Sequence, residues 1–404
     1  MGLDLNKTAI QIEKMTSQIK DHHLAWQKRF TRAITVLKDA DSNLIEEKRI
    51  RSKGLEEAWL VPSVNHMIND RFKPSKLPKN YSVLAVDGSH IDVDRHKPAK
   101  CYLINIGQVE LTYGSQPHAS LTSTPMLYAN QEDLVIRKVG ANMREQVIEG
   151  TVLGFKRTVE ELKALAQMIG ESPLDMPTLG LVDGSLIMLG LIGQGYPDFV
   201  REDILNQGYL KALDEIKFIS SKMPLSLASY ISLPRSTELI NGLRLSECSF
   251  NTANCNIHCI TKLPGDRPCD SIMDLLDRDI LYEWLNVGER STIFKSTSKI
   301  VTNYYGPHHI YFFYINVGSE IGRVEVPEWI ANNEALLKLT HSIIFDQCKK
   351  GQGYPVALME AHEQAVVTGS DRLRFQELVD LSLSKMQLPR YESAKNQSKR
   401  VRWM

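Results

Sequence analysis

The tripeptide Asp-Gly-Ser occurs twice in this chain, and each copy follows a short apolar run typical of a buried strand. The first copy, Asp87-Gly88-Ser89, follows residues 83–86, and the second, Asp183-Gly184-Ser185, follows residues 179–182. Because glycine ends each run, both carboxylates are expected at strand ends, where ligands gather in α/β sheets. Asp-Gly is also a common turn dipeptide, so two ordinary turns are the alternative.

The composition is that of a globular protein: 43% of the 404 residues are apolar and 24% are charged. The 48 basic and 48 acidic side chains cancel, so a nucleic-acid site would need a local patch of charge. No apolar stretch is long enough to span a membrane, and no secretion signal opens the sequence. We therefore expect a cytoplasmic protein with no membrane partner and with six reduced cysteines.

The pattern along the chain predicts three regions. Residues 1–72 form an N-terminal helical region with two or three amphipathic helices, and a Pro/Lys linker follows at 73–79. Residues 80–386 mix strands and helices, which predicts an α/β fold class. Residues 388–404 are rich in Lys and Arg and predict a disordered basic tail.

Strands and helices are predicted from apolar periodicity. Strands are expected at 82–87, 101–107, 109–113, 225–231, 310–316 and 323–326. Helices are expected at 138–169, 200–222, 327–349, 355–367 and 371–385, with a loop over 115–135.

Asp87, Asp183 and one glutamate of the helix at 138–169 would form a site for a hard divalent cation. That helix offers Glu145 and Glu149, one turn apart, and residue spacing alone does not decide between them. Carboxylates around a metal ion are a common device for phosphodiester hydrolysis. A solvated helix face is the alternative for either glutamate.

His362 follows Pro355 in a predicted helix and shares an apolar flank with Leu358. A histidine in that position is usually a core residue, and the alternatives are a metal ligand or a proton donor.

Four cysteines fall in the irregular stretch 246–270, namely Cys248, Cys255, Cys259 and Cys269. They contain no Cys-x-x-Cys pair, which structural zinc sites usually have, so a zinc site and free thiols both stay open.

The order of the motifs resembles the NurA nuclease family from about residue 82 to residue 385. Each motif is weak alone, and their order together is specific. They are strand–Asp87-Gly88-Ser89, Ile148-Glu149, Leu181-Val182-Asp183-Gly184-Ser185-Leu186, Tyr230-Ile231-Ser232-Leu233-Pro234-Arg235-Ser236, Arg323-Val324-Glu325-Val326-Pro327 and Gly353-Tyr354-Pro355 with Ala361-His362.

This resemblance implies an RNase H-like mixed sheet core with flanking helices, a homodimer, and Mn²⁺-dependent cleavage of DNA, with Mg²⁺ possible. It implies 5′-to-3′ exonuclease and single-strand endonuclease activity in DNA-end processing, on single strands and duplex ends, with a HerA-type hexameric ATPase as partner. Carried over by position, the metal ligands are Asp87, Glu149, Asp183 and His362, and Tyr230 joins them as a catalytic residue. Glu149 lies farther before Asp183 than the family pattern leads us to expect.

Two other functions compete with the nuclease. One is a catalytically silent subunit that binds DNA or a translocase, although the retained acids and histidine argue against it. The other is a metal phosphohydrolase with a small substrate, although the N-terminal helices and the basic tail suit a polymer or a protein partner better.

Overall fold

The computed structural model describes residues 4–52, 59–92, 100–138, 144–173, 175–193, 195–263 and 265–387. The predicted basic tail at 388–404 lies outside the described residues. Among the helices in the described ranges, none is long and apolar enough to cross a membrane.

The regular elements follow one another in this chain order. The strands are β1 (Ser63–Val64), β2 (Arg71–Phe72), β3 (Tyr81–Ile91), β4 (Tyr102–Tyr113), β5 (His118–Tyr128), β6 (Val135–Arg137), β7 (Glu145–Val147), β8 (Thr178–Asp183), β9 (Leu225–Ile231), β10 (Arg290–Ser291), β11 (Phe294–Lys295), β12 (Ile310–Asn316) and β13 (Ile321–Pro327). The α-helices are α1 (Leu5–Lys38), α2 (Ser42–Arg51), α3 (Gly150–Glu171), α4 (Gly190–Gly193), α5 (Asp198–Arg201), α6 (Leu210–Ser220), α7 (Glu238–Ser246), α8 (Cys255–His258), α9 (Asp277–Trp284), α10 (Lys299–Tyr304), α11 (Glu328–Ala331), α12 (Glu334–Lys350), α13 (Val356–Ala365) and α14 (Gly369–Lys385). A π-helix spans Glu202–Tyr209, and 3₁₀ turns span Pro268–Ile272 and Gly306–His308.

The chain divides into two compact units. The first unit comprises residues 1–74 and 231–328, and the second comprises residues 75–230 and 329–404. The boundary after Pro74 falls inside the predicted Pro/Lys linker.

The first unit joins the N-terminal helices to a small antiparallel sheet. Its strands β1, β11, β12 and β13 pair in that order, and β10 pairs with both β12 and β2. Ala33 and Leu37 of α1 share one apolar core with Leu239 and Leu243 of α7. The second half of α1 is therefore part of this unit's core.

The second unit is built on a mixed sheet with the strand order β9-β8-β3-β4-β5. Strands β3, β4 and β5 are antiparallel neighbours, whereas β8 runs parallel to β3 and β9 runs parallel to β8. Three antiparallel strands followed by two strands parallel to the first make the RNase H-like arrangement. This order confirms the predicted α/β class with a mixed sheet core, flanking helices and an N-terminal helical extension.

The centre of this sheet is covered on both faces, as the burial of its apolar side chains shows. All of residues 83–86 in β3 are buried, as a central strand between two layers requires. Helix α13 approaches the sheet so closely that a Cβ on Gly107 would lie 2.1 Å from the carbonyl oxygen of Ala361. Gly107 pairs with Asp87, so this contact seats α13 directly beside Asp87.

Two predicted elements are wrong. Residues 118–128 form strand β5 rather than a loop, and they gave no strand signal because most of their side chains are exposed and polar. The long helix begins at Gly150, not near 138, because Gly150 has φ +53° and Glu149 before it is extended. Glu145 lies in β7, which pairs with β6. The two short strands predicted at 101–107 and 109–113 are the single strand β4.

Candidate active site

Two aspartates lie side by side on the central strands. The parallel register of β3 and β8 pairs Val86 with Val182, which places Asp87 and Asp183 at the next level of adjacent strands. Such strands are about 4.8 Å apart, and residues in register point to the same face. The desolvation of its carboxylate raises the pKa of Asp183, and the charge of Asp87 raises it further. Two like charges are therefore held together.

A third carboxylate, that of Glu161 in α3, lies beside the glycine that follows Asp87. A Cβ on Gly88 would lie 2.5 Å from the Glu161 Oε1 atom, so this carboxylate passes directly over the glycine beside Asp87. The Glu161 side chain is only 12% exposed. Burial, with the charges of Asp87 and Asp183, raises the pKa of Glu161 to about 7, although Arg157 opposes the shift. The three carboxylates therefore form one electrostatically coupled cluster.

The acid cluster contains an acceptor without a donor. Arg157 Nε lies 3.0 Å from Glu161 Oε1 in an ion pair, but neither atom makes a well-formed hydrogen bond to a described residue. A buried oxygen of this kind, next to two aspartates, is a donor set that suits a hard divalent cation. In the described residues, no three His, Cys, Asp or Glu side chains surround one point tightly enough to hold an ion. The cluster therefore fits a cation by its chemistry, and the carboxylates must draw together to enclose one.

Residues on and before α13 bind both aspartates. The Tyr354 hydroxyl donates to Asp183 Oδ1 at 2.7 Å, and His362 Nδ1 lies 2.7 Å from Asp87 Oδ2. Because an ionised carboxylate only accepts, His362 Nδ1 carries the proton in this contact, and its Nε2 stays available. The His362 side chain is 63% exposed, so it is not the core histidine that the sequence left open.

Tyr230 lies close to the site but inside the sheet. It is fully buried in β9, next to Asp183 in the strand register. Its ring meets the Tyr354 ring edge-on, with the centroids 5.6 Å apart. Tyr230 therefore packs against Tyr354, whose hydroxyl donates to Asp183.

Neither helix acid proposed from the sequence is brought to the aspartates. Glu149 caps the start of α3 and lies twelve residues before Glu161, or about 18 Å along the helix axis. Glu145 lies in β7 and pairs with Arg137, with 2.8 Å between Oε1 and Nε.

The sequence held two signals for the residues that were missed. Glu161 lies nearer to Asp183 in the sequence than Glu149 does, and it follows Arg157 by one turn beside the apolar stripe of the helix. Tyr354 belongs to the Tyr-Pro motif that precedes His362.

Comparisons with known proteins were made for the whole chain. The sequence pattern of the NurA domain matches residues 81–367. The crystal structure of LC9-RNase H1, a type 1 RNase H with the type 2 active-site motif, aligns with 42% of this chain and 72% of its own, at 9% identity and a TM-score of 0.22. Drosophila Piwi aligns with 68% of this chain and 27% of its own, at 9% identity and a TM-score of 0.22. A search of curated proteins gave no match. The NurA match covers most of the chain and supports a nuclease-type function, and the chain belongs to the NurA family.

Proposed function

We propose that this protein is a metal-dependent nuclease that hydrolyses phosphodiester bonds in DNA. The observation that carries the proposal is the cluster of Asp87, Glu161 and Asp183, in which one buried oxygen lacks a hydrogen-bond donor. Holding three carboxylates together costs free energy unless a cation offsets their repulsion. Clusters with that electrostatic character are typical of functional sites rather than of protein cores.

The metal would be held by the three carboxylates, with His362 as a further ligand. When bound, Mn²⁺ or Mg²⁺ supplies a Lewis acid and an activated water for attack on the phosphorus. The protein's own residues prepare the site. Tyr354 holds one oxygen of Asp183, and Gly88 leaves room for the Glu161 carboxylate.

His362 has two roles that its geometry supports. With Nδ1–H directed at Asp87, a neutral ring presents the Nε2 lone pair, which suits a metal ligand. A protonated ring presents Nε2–H, which suits protonation of the leaving oxygen. We favour the ligand role. It predicts that His362→Ala weakens Mn²⁺ binding as well as cleavage. Lost cleavage with unchanged Mn²⁺ affinity favours the proton donor.

The finer activity rests on the family. We propose 5′-to-3′ exonuclease and single-strand endonuclease activity in DNA-end processing, on single strands and duplex ends. We also propose that a homodimer works with a HerA-type hexameric ATPase. These partners suit a site that includes Asp183, which is exposed at the end of β8.

Cleavage of labelled single-stranded and duplex oligonucleotides tests the proposal, with Mn²⁺, Mg²⁺ or EDTA. We expect cleavage with Mn²⁺, comparable or weaker cleavage with Mg²⁺, and none in EDTA. A chromogenic phosphodiester, assayed in parallel, separates the small-substrate alternative. Hydrolysis of the small ester without DNA cleavage supports a phosphohydrolase, DNA binding without hydrolysis supports a silent subunit, and full cleavage in EDTA contradicts the carboxylate–metal mechanism.

A further inference from the structure

Four of the six cysteines lie in the first unit, far along the chain from the acid and histidine motifs. They are Cys248, Cys255, Cys259 and Cys269, and none of them forms a disulfide. The other two, Cys101 and Cys348, belong to the second unit and serve as matched controls below.

Three of the four thiols are brought together by a small apolar core and one helical turn. Cys248 and Cys255 both pack against the same three buried residues, which are Val61, Leu245 and Ala253. Cys259 donates its N–H to the Cys255 carbonyl at 3.1 Å, at the end of α8. Residues four apart on a helical turn lie on one face, so Cys259 lies beside Cys255.

Cys269 joins the same cluster through Arg244. The Arg244 Nε donates to the Cys269 carbonyl at 3.1 Å, and its guanidinium lies 4.0 Å from the Trp59 ring centroid. Trp59 packs on the apolar core that holds Cys248 and Cys255. Cys259 and Cys269 are both buried.

The thiols lie within electrostatic reach of one another. Burial raises the pKa of Cys255, and negative charge on Cys259 or Cys248 raises it further. Burial also raises the pKa of Cys269, and Asp270, Cys248 and Cys255 add to the effect. The packing of Cys248 and Cys255, the α8 turn and the Arg244 contact thus make the four side chains one group rather than four separate core cysteines.

The surrounding charge suits an anionic centre. Buried Lys48 places its ammonium 2.6 Å from the Cys248 carbonyl oxygen, and Arg244 and Arg267 lie within electrostatic reach of Cys255. Asp270 pairs with both arginines and offsets one positive charge. Four thiolates around a metal centre carry net negative charge, which these cations stabilise.

We propose that Cys248, Cys255, Cys259 and Cys269 ligate a metal centre, and that this centre is an iron–sulfur cluster. A single zinc ion bonds each thiolate at about 2.3 Å and draws the sulfurs into a tight tetrahedron. Within the described ranges, no three potential ligands converge that closely on one point. A four-cysteine cluster site spreads its ligands around a larger inorganic frame. Such a centre would hold a stretch that has little regular structure beyond α8 and the short 3₁₀ turn.

Metal and sulfide analysis of the full-length protein, purified without oxygen, tests this inference. We expect about four iron atoms and four acid-labile sulfides per chain, with visible absorbance from the cluster. Changing any of the four cysteines to Ser should lower iron and sulfide at least several-fold, whereas Cys101→Ser and Cys348→Ser should leave both unchanged.

The wild-type measurement stands even if a variant fails to fold. One zinc per chain without sulfide overturns the cluster and keeps the four-thiolate ligand set. Neither metal above trace level, including after reconstitution with iron and sulfide, overturns the whole inference. Equal losses in the two control variants would also overturn it. None of these results depends on nuclease activity.

Discussion

At the scale of single residues, Glu161 defines the site. Its carboxylate lies over Gly88, and the charges of Asp87 and Asp183 disfavour its ionisation. Tyr354 and His362 each engage one aspartate, and the Gly88 N–H donates to Asp87 Oδ1 at 2.7 Å. Burial and these two aspartate charges therefore favour a proton or a cation at Glu161.

The pH dependence of stability follows from that raised pKa. The pKa of Glu161 is about 7 in the folded protein against 4.5 for the free side chain, so folding favours its neutral form. Without metal, this contribution is full below pH 4.5 and is lost as the pH rises towards 7. We expect wild type to lose on the order of 3 kcal/mol of unfolding free energy over this range, relative to Glu161→Gln.

Urea unfolding in EDTA from pH 5 to pH 8 measures this effect. Parallel stability curves for wild type and Glu161→Gln would mean that Glu161 is not held among like charges. Mn²⁺ added at pH 8 should stabilise wild type more than the variant, because binding N but not U shifts the equilibrium.

At the scale of elements, strand patterns were easier to predict than helix phase. Strands β3 and β8 were predictable from their buried apolar runs, but only β8 ends at its aspartate, since β3 continues past Asp87 to Ile91. The start of α3 was not predictable. The helical pattern in the sequence continues before Gly150, but in the structure β7 pairs with β6 there and Gly150 has a positive φ. The wrong start put both Glu145 and Glu149 inside the predicted helix, whereas Glu161 is the α3 acid that lies beside Gly88. Strand β5 was not predicted, because this exposed edge strand shows no alternation of apolar and polar residues.

The packing of α3 on β3 makes a specific prediction at Gly88. A Cβ there would meet the flexible end of Glu161 and the Arg157 Cγ, so Gly88→Ala should displace the carboxylate without unfolding the sheet. We expect Mn²⁺ affinity and DNA cleavage to fall about tenfold or more, which is about 1.4 kcal/mol. Calorimetry and the cleavage assay measure this, with circular dichroism to check the fold.

Gly154→Ala is the matched control on α3. A Cβ at Gly154 meets nothing within 4 Å, so this variant should keep metal binding and gain slightly in helix stability. Unchanged Mn²⁺ affinity in Gly88→Ala would show that metal binding does not require the Glu161 carboxylate to lie beside Gly88.

At the scale of the whole molecule, the division into two units could not be predicted from the sequence. Residues 231–328 share a unit with the N-terminal helices, because α1 and α7 bury the same core over a separation of some 200 residues. Apolar periodicity reports that a helix face is buried but not what covers it. The first half of α1 differs, since Leu5, Ile12 and Ile19 are each at least half exposed and recur every seven residues.

That spacing is typical of a helix-to-helix seam and bears on the expected homodimer. Deleting residues 1–25 removes the exposed stripe and keeps Ala33 and Leu37, so the first unit should stay folded while self-association weakens. Light scattering after size exclusion measures the mass. A truncated chain that retains the mass of a full-length dimer would exclude this segment from the interface.

The central claim is that Asp87, Glu161 and Asp183 together form a catalytic metal site. Glu161→Gln and Glu149→Gln make the same chemical change at two positions of α3, within the helix and at its N-cap. The two positions are about 18 Å apart along the helix axis. Mn²⁺-dependent cleavage of a labelled oligonucleotide by the two variants is the most direct measurement. We predict a loss on the order of 10²-fold or more for Glu161→Gln and near wild-type cleavage for Glu149→Gln. Wild-type cleavage by Glu161→Gln, or the larger loss in Glu149→Gln, would contradict the account.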